Sequence, residues 1–149
     1  MNVRKNAILM VAMVLTASPA IAGHDRVPPV RDPVVLRECG SCHMAFQPDF
    51  LPARSWERIM DGLADHFGED ASLPADVKGA IRAYLAANAG GAAGWRARGE
   101  ATPERITGTP AFMREHRFPE RVWRDPKVLT KSNCPACHSA AEKGLYDDD

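Results

Sequence analysis

Apolar residues recur along this chain at helical spacing, and nowhere do they alternate for long enough to make a strand. Trp56, Ile59, Met60, Leu63 and Phe67 stand at i, i+3, i+4, i+7 and i+11, which predicts a helix from Trp56 to His66 that ends near Gly68. A second stripe of Val77, Ile81, Tyr84, Leu85 and Asn88 predicts a helix that begins at Ser72-Leu73-Pro74 and stops at Gly90-Gly91. A shorter helix is expected from about Val34 to the first cysteines, followed by a loop over 47–54 that contains Pro48 and Pro52. Residues 23–33 read as a polar, proline-rich arm. The fold class is mainly α.

Beyond residue 89 the pattern changes. Ala89-Gly90-Gly91-Ala92-Ala93-Gly94 is small and linker-like. From residue 99 onward, prolines at 103, 110, 119, 126 and 135 leave room only for short helical turns. In one of these Thr109 suits an N-cap and Pro110 the first helical position, so Phe112 and His116, four apart, share a face. The chain therefore divides into a unit over 23–98 and a second over 99–149. The second is too small for a core of its own and is expected to be unstructured without a cofactor.

The first 22 residues stand apart. Arg4 and Lys5 precede an apolar run from Ala7 to Ala17, and Ala20-Ile21-Ala22 is a small-x-small cleavage site. This is the pattern of a secretory signal peptide, with an apolar stretch too short for a comfortable membrane span. The competing reading is an uncleaved N-terminal anchor. Cleavage leaves 127 of 149 residues and removes two bases and no acids, which turns 19 against 19 into a net charge of −2. A chain without positive excess has no electrostatic footprint for nucleic acid.

All four cysteines lie in two pentapeptides, Cys39-Gly40-Ser41-Cys42-His43 and Cys134-Pro135-Ala136-Cys137-His138. Each is C-x-x-C-H, the attachment motif of c-type haem. Two cysteines three apart face the same way on a helical turn and can reach both vinyl groups of one porphyrin edge. The histidine that follows can then place its imidazole on the iron. A zinc site made of the four cysteines would need a shorter separation between the pairs and no histidines. A thioredoxin-like pair would need a βαβ setting, and a plain disulfide framework leaves the two histidines as coincidence. Two covalently attached haems account for all six residues.

With His43 and His138 used as proximal ligands, His24, His66 and His116 remain for the opposite faces. His66 flanks the apolar stripe of the second predicted helix, and His116 shares a face with Phe112. These two are the expected distal ligands; His24 reads first as a solvated terminal side chain, with replacement of either ligand as its alternative. Met44 follows a proximal histidine and is held on the wrong side, while Met60 and Met113 read as core. Two imidazoles donate better to ferric iron than one imidazole and a thioether, so the potential is expected to be low. Only 11 residues follow His138, so the second unit is no copy of the first, and its wrapping must come from 104–131 and from the first unit. Arg105, Arg114, Arg117, Arg121, Arg124, Lys127 and Lys131 read as a solvated face with local ion pairs, or as partners of haem propionates or a docking protein. Asp147 to Asp149 read as a frayed acidic tail.

The sequence resembles the periplasmic di-haem cytochrome c family of proteobacteria, often called DHC. The resemblance rests on Glu38 to Met44, Leu51-Pro52, Ser55-Trp56, His66 to Ala71, Arg105 to Thr107, Glu115-His116 and Asn133 to His138. It implies a soluble, two-domain electron carrier with an N-terminal class-I-like cytochrome c domain and a small, irregular C-terminal haem domain, both irons bis-histidine; the chain is expected to be a monomer. It also implies a mono-haem cytochrome c as acceptor and a membrane b-type cytochrome or quinol-linked system as donor. The competing function is a haem enzyme or gas-binding protein with one open iron.

Overall fold

The computed structural model describes residues 26–90 and 103–146, and all of its regular structure there is helical. The signal peptide, His24, residues 91–102 and the three terminal aspartates lie outside the described residues. Helix α1 runs Pro33–Cys39, opened by Asp32, whose carboxylate accepts from the amides of Val34 and Val35 at 2.8 and 3.1 Å. A 3-10 turn over Pro48–Phe50 leads into α2, Ala53–Asp61, and α3 follows at Ala75–Ala87. Helices α2 and α3 pack on each other, with Val35 of α1, Leu51, Trp56, Met60, Leu63, Ile81 and Leu85 making the core. The Trp56 indole N–H donates to the carbonyl of Pro48 at 2.7 Å, which ties α2 to the loop before it.

The helix expected from Trp56 to His66 is shorter than its stripe. It ends at Asp61, because the Gly62 amide is shared between the carbonyls of Arg58 and Ile59 and the chain tightens into a 3-10 turn at Leu63–Asp65. The chain then reverses. His66 and Glu69 bond to each other in both directions at 2.7 and 3.3 Å, around Phe67 at φ 59° and Gly68 at φ 103°. Two consecutive positive φ values are the pattern of a type I′ turn. Phe67 thereby leaves the stripe and is exposed.

In the second unit the helices are short, as the prolines require: α4 at Pro110–Glu115 and α5 at Glu120–Trp123, with 3-10 turns at Ile106–Gly108, Cys134–Ala136 and Ala141–Lys143. Thr109 caps α4 by accepting from the Phe112 amide at 3.2 Å, with Pro110 in the first turn. Met113, expected in the core, is 55% exposed, whereas Met60 is buried as expected.

The proline-rich arm is no loose lead-in. Val27 and Val30 are buried in the core, and Arg26 bridges to Leu145 across the chain. The Val27 amide donates to the Gly144 carbonyl at 2.9 Å. Ile106 and Tyr146 of the second unit also pack on the first unit's core. Gly144 makes this closure possible: its φ is +75°, and a β-carbon there would sit 2.0 Å from the Val27 carbonyl oxygen. Gly144→Ala is therefore expected to destabilise the haem-loaded protein by at least about 2 kcal/mol, read as a lowered midpoint in denaturant. An unchanged midpoint would show that the arm does not hold the second unit.

Candidate functional site

Each C-x-x-C-H motif is set on a turn. The first begins at the last residue of α1, where the Gly40 amide closes on the Leu36 carbonyl at 3.1 Å. The second is a 3-10 turn in which the amides of Cys137 and His138 both return to the Cys134 carbonyl, at 3.1 and 2.8 Å. In both, the first cysteine is half-buried and the second exposed, and none of the four is in a disulfide. Burial pushes the Cys39 thiol up, helped by Glu38, and raises Cys134 to about 11. Both thiols are therefore neutral at physiological pH, as apolar surroundings require. No three His, Cys, Asp or Glu side chains converge on one point among the described residues.

The histidines are brought together in two pairs. His43 faces His66 with ring centres 6.2 Å apart, and His138 faces His116 at 6.1 Å. A metal–imidazole bond is about 2.0 Å and the ring centre lies roughly 1.1 Å beyond the nitrogen, so one iron between two imidazoles separates their centres by about 6.2 Å. Both pairs fit that spacing. The four histidines expected as ligands thus stand in two facing pairs, His43 with His66 and His138 with His116.

Ring orientation suits the same reading. His43 Nδ1 lies 2.7 Å from the Met44 carbonyl oxygen and His116 Nδ1 lies 3.0 Å from that of Phe112. A carbonyl only accepts, so Nδ1 carries the proton and Nε2 offers its lone pair. The His66 imidazole is held below its ordinary pKa, first by burial and then by the neighbouring His43 and Arg105, which keeps it neutral and able to ligate. His138 Nδ1 is buried with no hydrogen-bond partner among the described residues.

The surroundings are aromatic. Phe46 stacks on His43 at 4.9 Å, and Phe112 lies over His116 at 4.0 Å with the rings 9° apart. Trp123 and Phe118 stand 6.3 and 6.1 Å from His116. Leu36, Phe67, Met113 and Phe118 are large apolar side chains each about half exposed, at 46, 45, 55 and 49%. Phe67, Met113 and Phe118 lie within three residues of His66 or His116 in sequence. Arg105 reaches back from the second unit to lie 3.9 Å over the Phe67 ring. Of the other basic residues in this segment, Arg114 pairs with Glu115 and Arg124 with Glu120, as expected of a solvated face, and Lys131 lies over Trp123.

Sequence reasoning did not single out Gln47 and Tyr146, which join the two sites. Gln47 is fully buried, and its amide nitrogen donates to the Ala141 carbonyl at 2.8 Å. Its amide oxygen accepts from the Tyr146 hydroxyl at 2.5 Å. Burial, and then Cys134, push the Tyr146 phenol up, so it stays a donor. The Tyr146 ring stands edge-on to His138 at 5.4 Å and to Phe50 at 5.2 Å. No local signal announces a contact across 99 residues; only a glutamine and a tyrosine among apolar neighbours point toward it.

A family model described as Dihaem cytochrome c matches residues 35–146. Among solved structures, the chain is similar to the diheme cytochrome c from Rhodobacter sphaeroides, with 42% identity and a TM-score of 0.74 over 80% of this chain and all of that one. It is similar also to DHC purified from Rhodobacter sphaeroides, at 44% identity and a TM-score of 0.68 over 79% of this chain and 99% of that one. A diheme cytochrome c from Shewanella baltica OS155 gives 39% and 0.66, over 77% of this chain and 86% of that one. No curated protein sequence matches.

Tyr146→Phe removes one hydroxyl and leaves the buried Gln47 oxygen without its donor. The variant is expected to lose about 1–3 kcal/mol of stability, measured by denaturant unfolding of the haem-loaded protein. A loss near zero would show that the clamp is replaced by water.

Proposed function

The chain belongs to the dihaem cytochrome c family, and on that premise we propose that it is an exported, low-potential electron carrier whose two irons are each ligated by two histidines. Two covalently attached c-type haems come with the family. In this reading Cys39 and Cys42 attach the first, with His43 and His66 as axial ligands. Cys134 and Cys137 attach the second, with His138 and His116. The ring separations of 6.2 and 6.1 Å carry the reading, because each pair has the spacing that one shared iron requires.

Haem supplies a one-electron couple, and paired imidazoles set it low. The chain's own residues do the rest. The carbonyls of Met44 and Phe112 fix the tautomer of His43 and His116, and stacking on Phe46 and Phe112 holds those rings upright. With protein on both faces, neither iron is left to bind substrate or gas, so the protein carries electrons and makes no bonds. The chain acts as a periplasmic monomer, released by cleavage after Ala22. No helix among the described residues is long and apolar enough to cross a membrane. Its partners are a mono-haem cytochrome c acceptor and a membrane b-type cytochrome or quinol-linked donor. Exposed Arg117, Arg121 and Lys127 beside the second site favour an acidic docking face.

The reduced protein is expected not to bind carbon monoxide at native pH, and the oxidised protein to be wholly low-spin. His66→Ala and His116→Ala should each open one iron, giving one carbon monoxide bound per molecule. Binding by the unaltered protein, or a high-spin ferric signal, would instead indicate a gas-binding protein or haem enzyme.

A further inference from the structure

The two imidazole pairs differ in twist. The ring planes of His43 and His66 lie 27° apart, and those of His116 and His138 lie 77° apart. When two imidazoles share an iron, both planes contain the axis through the metal, so this angle is the rotation of one ligand against the other. The chain sets the crossed pair from both sides. His116 lies within 9° of the Phe112 plane and bonds through Nδ1 to the Phe112 carbonyl. His138 stands edge-on to Tyr146, at 64°, in the segment that Gln47 clamps.

We infer that the crossed His116–His138 pair makes the second haem electronically distinct from the first and the holder of the first electron in the half-reduced protein, with Phe112 as the positioning residue that sets the twist. The inference rests on the two-histidine ligation proposed above. Near-parallel imidazoles push their π density into the same one of the two iron dπ orbitals and raise it above the other. Ferric iron places its hole in the raised orbital and is stabilised, whereas ferrous iron, with the set full, gains nothing. Crossed rings raise both orbitals alike, the ferric state loses that stabilisation, and the potential moves up. His138 acts in the same direction. Its buried Nδ1 has no acceptor among the described residues, and an imidazole whose N–H is not engaged is a weaker donor to the metal. Each site takes one electron, with no bond made or broken and no proton moved.

The test is electron paramagnetic resonance of the oxidised holoprotein, followed through stepwise reduction with dithionite. Two low-spin signals are expected: one rhombic, and one of large anisotropy dominated by a single low-field feature. The second should disappear first. Phe112→Leu should move the large-anisotropy signal toward rhombic and leave the other unchanged. His116→Met should replace it altogether, which assigns it to the second site even if the Phe112 variant does not fold. Two rhombic signals in the unaltered protein, earlier loss of the rhombic signal, or indifference to a folded Phe112→Leu would each overturn the inference while leaving the ligand assignment standing. A high-spin or histidine–methionine signature would overturn both.

Discussion

The rest of this molecule depends on holding four imidazoles in two facing pairs, each with ring centres a little over 6 Å apart. At that distance two neutral rings attract each other weakly, and each resists burial unless its N–H is bonded. The protein must therefore position them by other contacts. The rings of His43 and His138 are placed by the turns that carry the cysteines. The rings that face them come from turns elsewhere: His66 from a reversal after α2, and His116 from the cap of α4. Phe46 and Phe112 then fix ring planes that a single rotatable side chain would leave free.

Placing His66 involves a backbone cost. Phe67 is not glycine, yet it takes φ 59°, a conformation that disfavours an L side chain by about 1–2 kcal/mol. The neighbouring contacts offset this. Gly68 takes the second positive φ without strain, Asp65 accepts from its amide at 3.0 Å, and Arg105 covers the Phe67 ring. Strain of this kind is found where a functional side chain must be aimed. Here it turns His66 out of the helical path and toward His43.

What can be read from the sequence follows the range of the interactions. Both attachment motifs, the Thr109-Pro110 start of α4, the α3 helix and the pair Phe112–His116 are local patterns, and the structure contains all of them. The end of α2 is not legible, because the apolar stripe continues past Gly62 while the shared amide there converts the helix to a 3-10 turn. His66 remains beside His43 although its helix does not reach it, since chain reversal replaces helical phase as the positioning device. The arm at Val27 and Val30 reads as polar because two valines among prolines have no period. Their partners, Gly144 and its neighbours, lie at the far end of the chain.

That same long range explains how so slight a second unit can hold a haem. Helices of four and six residues cannot persist alone, because nucleation costs more than their few hydrogen bonds return. The unit borrows its stability. Arg105 and Ile106 fasten its start to the first unit, and Ala141, Gly144 and Tyr146 fasten its end, so the second attachment motif is closed between two anchored segments. Gln47 bonds with both ends of its amide to residues 94 and 99 positions away, and a buried amide left half-bonded would be costly. His138 is therefore positioned, through Tyr146 and Gln47, by the core of the first unit. Unfolding of that core would release His138, so the two sites share one stability rather than having one each.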